Sequence, residues 1–176
     1  MIRLKGGLSQ GERRTVRGII DELKKLDSKS LLSYWINAEL DEAEIYNKLA
    51  KRTREYSWDR RIPALFEKLA RESAEHAEIL LREYRGRYKN AGLVKTNIPS
   101  IEIELSLNDL IEYIERGRLD DLIAILMESE RIAMDIYRYL AQETSGDMRE
   151  LFEHLASIEE GHYTKLKELR DSISEP

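Results

Sequence analysis

Residues that break helices are scarce in this chain, and they fall where joints between long helices are needed. The 176 residues include only 9 Gly and 3 Pro. Pro63, Gly92, Pro99, Gly117 and Gly146 punctuate otherwise sustained helical periodicity. Residues 15–26 read as a short amphipathic helix, with Val16, Ile19, Ile20 and Leu23 on one side. Ser28 is the expected N-cap of a long helix reaching Tyr56, whose apolar positions include Leu31, Trp35, Ile36, Ala43, Tyr46 and Leu49. A turn over residues 57–61 follows, and Pro63 suits the first turn of a second helix running to about Tyr88. The long connection over residues 89–106 contains the alternating run Ile98 to Leu105. Ser106 is the expected cap of a short helix that ends at Gly117. A third long helix spans residues 119–144, and after Ser145-Gly146-Asp147 a fourth runs to about Ser172. Two helical hairpins joined by a long crossover predict one all-α domain: a four-helix bundle over residues 28–176, preceded by a segment over residues 1–27.

Composition narrows the chemistry. With 29 basic and 34 acidic residues the formal charge is −5, which argues against a nucleic-acid partner, because phosphate neutralisation needs a basic face. Cys is absent, so disulfides, thiolate zinc sites, iron–sulfur clusters and cysteine nucleophiles are excluded together. Any metal must sit on carboxylate and imidazole. The N-terminus shows no secretory pattern, and the strongest apolar stretch, Leu122 to Met127, is far too short to cross a bilayer. A soluble, cytoplasmic protein with no membrane partner is expected.

A weak internal duplication lands on the residues of most chemical interest. Aligning the first and third long helices pairs Glu39 with Glu130, Ile45 with Ile136, Tyr46 with Tyr137, Leu49 with Leu140 and Ala50 with Ala141. Aligning the second and fourth pairs Leu65-Phe66 with Leu151-Phe152 and His76 with His162. Amphipathic helices match at Leu and Ala by composition alone. The only two Phe residues and two of the three His residues falling in register point instead to a true duplication.

Glu159-Glu-Gly-His162 is a Glu-x-x-His, so both side chains leave one helix face within a turn. Carboxylate oxygens with imidazole suit iron or manganese better than metals that prefer soft ligands. Glu39 and Glu130 each precede a Tyr by seven residues, nearly two turns, so each shares a stripe with a phenol placed to hydrogen-bond a ligand carboxylate. The plain alternatives are a solvated Glu-x-x-His, core tyrosines and a wet acidic face around Asp41, Glu42 and Glu44. Convergence favours a site. The four helices supply Glu, His, Glu and Glu-x-x-His in the order a metal centre in a bundle core requires.

Glu39…Tyr46, Leu65-Phe-Glu-x-Leu-Ala…His76, Glu130…Tyr137 and Glu159-x-x-His162 resemble the rubrerythrin-like branch of the ferritin-like superfamily, over about residues 28–169. The resemblance implies a ferritin-like four-helix bundle housing two iron ions, with manganese as the variant metal. It implies reduction of hydrogen peroxide, or oxidation of Fe(II) by peroxide or dioxygen, in oxidative-stress defence. It further implies that Glu39 and Glu130 are terminal ligands, that Glu159 bridges, and that His76 and His162 each bind one metal. The rubredoxin-type module of full-length rubrerythrins needs Cys and is not among these residues, so an external electron donor is expected. A homodimer is expected as well. No haem is expected, since no Met stands where bacterioferritins ligate it.

The pattern breaks at one place. Three residues before His76 stands Ser73, where the family carries a second Glu-x-x-His. Three explanations stand open: a local bulge that turns Glu72 inward, a carboxylate supplied by Glu42 one turn after Glu39, or a site reduced to one metal or none. Glu42 leads, because it lies on the ligand stripe; its counterpart in the third helix is Ala133. His154 reads as a boundary residue, and Trp35 and Trp58 as packing. Ferritin-type iron storage, which needs a hollow cage, and a metal-poor scaffold are the competing functions.

Overall fold

A computed structural model of the chain describes residues 18–57, 59–98 and 107–174, apart from the Ser174 side chain. The described residues form six helices and no strand: α1, of which residues 18–23 are described, α2 (Ser28–Tyr56), α3 (Arg61–Arg87), α4 (Leu107–Glu115), α5 (Leu119–Glu143) and α6 (Asp147–Ser174). Helices α2 with α3 and α5 with α6 pack as two hairpins, and the hairpins associate into a bundle. The expected start of the first helix at Thr15, Trp58, most of the alternating run and the cap at Ser106 lie outside the described residues.

Two boundaries differ from expectation for local reasons. The N-cap of α2 is Asp27, not Ser28: its extended backbone carries a carboxylate that accepts from the Ser30 amide at 2.7 Å, while its carbonyl accepts from Leu31 at 2.9 Å. Asp27 and Ser28 are both good caps, and the one on the extended residue wins. The first helix ends three residues before Leu26, at Leu23, in turns through Lys24 and Lys25. Gly117 closes α4 with φ of 67°, the left-handed conformation that an L side chain resists.

The core is divided along the bundle axis. One apolar cluster gathers Trp35, Ile36, Leu80, Tyr84, Ile136, Tyr137, Phe152 and Leu155. The other gathers Tyr46, Leu49, Phe66, Leu69, Leu122, Leu126 and Leu166, covered by Leu110 and Ile114 of α4. Phe66 and Phe152, paired in the duplication, are both fully buried, one in each cluster. The long crossover is tied to the first cluster's end of the bundle: Tyr84 donates to the Gly92 carbonyl at 2.7 Å, and the Val94 amide donates to Ser33 Oγ at 3.0 Å. No described helix is long and apolar enough to cross a membrane.

Candidate metal centre

All four long helices carry a polar residue into the core at the level between the two apolar clusters. On α2, Glu39 and Glu42 fall between Ala38 and Tyr46; on α5, Glu130 falls between Met127 and Ile132. On α6, Glu159 and His162 lie between Ala156 and Leu166, and on α3, Ser73 and His76 lie between Ala70 and Leu80. Helical spacing explains the arrangement. Glu39 and Glu42, like Glu159 and His162, are three apart and share a face.

Ligand-type atoms of Glu42, Glu130, Glu159 and His162 all lie within 4.8 Å of one another, and all four residues are buried. The Nδ1 atom of His162 faces three of these carboxylates, at 3.4 Å from Glu42, 3.6 Å from Glu130 and 3.7 Å from Glu159. Glu39 and His76 stand beside this group as a pair, Oε2 to Nδ1 at 3.5 Å. The two imidazoles stack with centroids 5.6 Å apart, which joins the pair to the group. All six expected ligands therefore converge on one level of the bundle.

Ser73 is fully buried and bonds the Leu69 carbonyl at 3.0 Å. Helix α3 is regular through this region, so no bulge turns Glu72 into the core; its side chain is about one-quarter exposed and pairs with Lys165. At the equivalent positions Glu42/Ala133 and Ser73/Glu159, each half of the duplication nevertheless carries one carboxylate. In the first half it comes from α2 (Glu42, with Ser73 opposite on α3). In the second it comes from α6 (Glu159, with the buried Ala133 on α5). His154 is exposed, and Trp35 packs against Tyr34 and Tyr137.

The model of the rubrerythrin family matches residues 30–170. The chain belongs to the rubrerythrin family. Among solved structures, a hypothetical protein from Pyrococcus furiosus is similar over 86% of this chain and 93% of that one, with a TM-score of 0.64 and 23% sequence identity. That likeness bears on the fold alone. No curated protein matches the chain.

The donor set of this rubrerythrin-family chain fits a metal on energetic grounds as well as by type. Both carboxylate oxygens of Glu39, Glu42 and Glu159, Nδ1 of His76 and both ring nitrogens of His162 are buried and make no hydrogen bond among the described residues. Buried polar atoms are nearly always bonded, and unpaired buried charges are strongly unfavourable. Burial pushes Glu39 well above the ordinary carboxyl range, helped by the charge on Glu42. Burial, then the charges of Glu42 and Glu130, does the same to Glu159. Burial and Glu130 raise Glu42. Burial acts upward on Glu130 too, but its contacts with His162, Glu159 and Tyr46 outweigh it and hold this carboxyl low. Burial disfavours the His162 imidazolium, yet the contacts with Glu130 and Glu42 hold it well above its usual value. His76 is pulled down to about 4 by burial and by His162. Crowded carboxyls beside imidazoles are a donor set of the type that holds a metal ion.

The two paired tyrosines have different ring neighbours. Tyr46 Oη of α2 donates to Glu130 Oε1 of α5, fixing that carboxylate across the bundle. Tyr137 packs between the rings of Trp35, at 4.5 Å, and Phe152, at 6.4 Å. Replacing Tyr46 by Phe removes the donor and frees Glu130, so Co(II) affinity is expected to fall about tenfold, the lower end for losing an outer partner of a ligand. Isothermal titration measures it, and an unchanged affinity would show that Glu130 needs no such partner.

Proposed function

We propose that this cluster holds two iron ions and that the protein is a rubrerythrin-type oxidoreductase of oxidative-stress defence. It reduces hydrogen peroxide, or oxidises Fe(II) with peroxide or dioxygen. The observation that carries the reading is the buried set of unpartnered donors on four helices, together with the family to which the chain belongs. Glu39 and His76 would hold one ion and Glu130 and His162 the other, with Glu42 and Glu159 as the further carboxylate donors. Four carboxylates balance the charge of two divalent cations, which favours two ions over one.

When bound, a pair of ferrous ions supplies the two electrons that, with two protons, convert hydrogen peroxide to two waters. The chain's own residues do the rest. Tyr46 holds its proton on Glu130 and keeps that carboxylate oriented. The apolar clusters on either side exclude water and limit access. His76, with its side chain 15% exposed, and Glu72 mark the side on which the centre approaches solvent. These 176 residues carry no Cys for an iron–sulfur or rubredoxin-type centre, so electrons return from a donor outside them.

Ser73 favours a second reading, a site completed to one metal only, because the second Glu-x-x-His carboxylate is missing from α3. An anaerobic Fe(II) titration of metal-free protein with elemental analysis separates the two. About two irons per chain, oxidised rapidly by peroxide, is the expected result. One iron without peroxide reaction would establish the single-metal reading. Native mass tests the proposed homodimer against a storage cage of many subunits.

A further inference from the structure

At the half-exposed edge of the centre two residues outside the ligand set are joined. Lys165 Nζ donates to Glu72 Oε2 at 2.7 Å, and the same oxygen lies 3.6 Å from Nε2 of His162. His162 thus presents its two nitrogens to opposite surroundings: Nδ1 to Glu42, Glu130 and Glu159, and Nε2 to Glu72. An imidazole that ligates a cation through one nitrogen carries its proton on the other, and an acceptor for that proton sets tautomer and ring orientation. Glu72 is placed for this and not for ligation. It sits on an unbroken helix beside Ser73, it is outside the four-residue group, and its oxygen is already engaged by Lys165. The 3.6 Å separation exceeds a hydrogen bond by a few tenths of an ångström. Closing that gap needs a rotation of the Glu72 side chain, which is about one-quarter exposed.

We propose that Glu72, anchored by Lys165, is the positioning acceptor for the Nε2 proton of His162, and so turns Nδ1 toward the metal-binding carboxylates. Lys165 follows His162 by three residues on α6, so the same helix face that carries the imidazole carries the cation that holds its acceptor. The proposal rests on the reading of the cluster as a metal centre.

The test uses the full chain with Co(II) and Zn(II) as probes. Wild type and the variants Glu72→Ala, Glu72→Gln and Lys165→Met are titrated with Co(II), and histidine nitrogen resonances are recorded on the Zn(II)-loaded proteins. Glu72→Ala is expected to lose roughly 10–100-fold in Co(II) affinity and to speed solvent exchange of the His162 Nε2 proton. Glu72→Gln loses the same charge but keeps an acceptor oxygen, so most of the affinity returns. Lys165→Met leaves the carboxylate unanchored and also speeds that exchange. Equal weakening in the Ala and Gln variants would reduce Glu72 to a nearby charge and overturn the proposal. Affinity and exchange unchanged in every variant would overturn it too, while leaving the metal centre intact. A wild-type protein that binds neither probe removes both readings together.

Discussion

Replacing Glu159 by Leu is expected to make the metal-free protein more stable while removing most of the stabilisation that iron gives it. Glu159 is fully buried, its two oxygens make no hydrogen bond among the described residues, and Glu42, Glu130 and Glu39 surround it with like charge. A carboxyl whose folded value stands well above its unfolded one opposes folding at neutral pH, because unfolding lets it ionise freely. An apolar side chain of similar size removes that penalty, worth about 1–3 kcal/mol on the scale of buried charges replaced by apolar residues. The loaded state behaves oppositely. Free Fe(II) at about one hundred times the dissociation constant adds roughly 2.7 kcal/mol per site. Two sites then raise the Tm of a chain this size by about 10–20 °C. Anaerobic calorimetry with and without Fe(II) reads both effects. A metal-free Glu159→Leu protein less stable than wild type would mean that the crowded carboxylate is not under strain, and the energetic case for a cation there would fall.

The sequence carried the site further than it carried the connections around it. Helical spacing put Glu39 with Glu42, and Glu159 with His162, on common faces; the duplication supplied His76 and Glu130 in register. Those are local or repeated signals, and the structure places the six residues at one level of the bundle. What periodicity does not contain is which residue of one helix meets which of another. The angle of Glu72 on α3 is wrong for the core, yet it sets the side chain against Lys165, 93 residues away, and beside Nε2 of His162. The duplication also implied equal roles for Tyr46 and Tyr137. The halves differ in what surrounds each ring: Tyr46 meets Glu130, whereas Tyr137 is set between Trp35 and Phe152. The displaced cap at Asp27 is a smaller case, in which two adjacent cap-forming residues are separated only by backbone conformation.

Metal-free protein is expected to lose stability as pH rises above about 6.5, while the advantage conferred by metal grows over the same range. The folded carboxyls of Glu39, Glu42 and Glu159 lie above their ordinary 4.5, and His162 lies well above 6.5. Each of these four gives up its proton at a higher pH in the folded state than in the unfolded chain. Their contribution is therefore complete below the unfolded values and is lost as pH climbs through the folded ones. His76, pulled down from 6.5 to about 4, has the opposite sign, but only between those two values. Glu130, held below 4.5, contributes above that value and loses its share only in acid. Above pH 6.5 the first group acts alone, with a slope of up to about 1.4 kcal/mol per pH unit for each proton exchanged. Metal reverses the dependence because only deprotonated ligands bind it, so binding releases these same protons and strengthens with pH. Thermal melts in a chelator and in excess Co(II) at several pH values give the two curves. Parallel curves would show that the protons of this cluster and the metal do not compete for the same atoms.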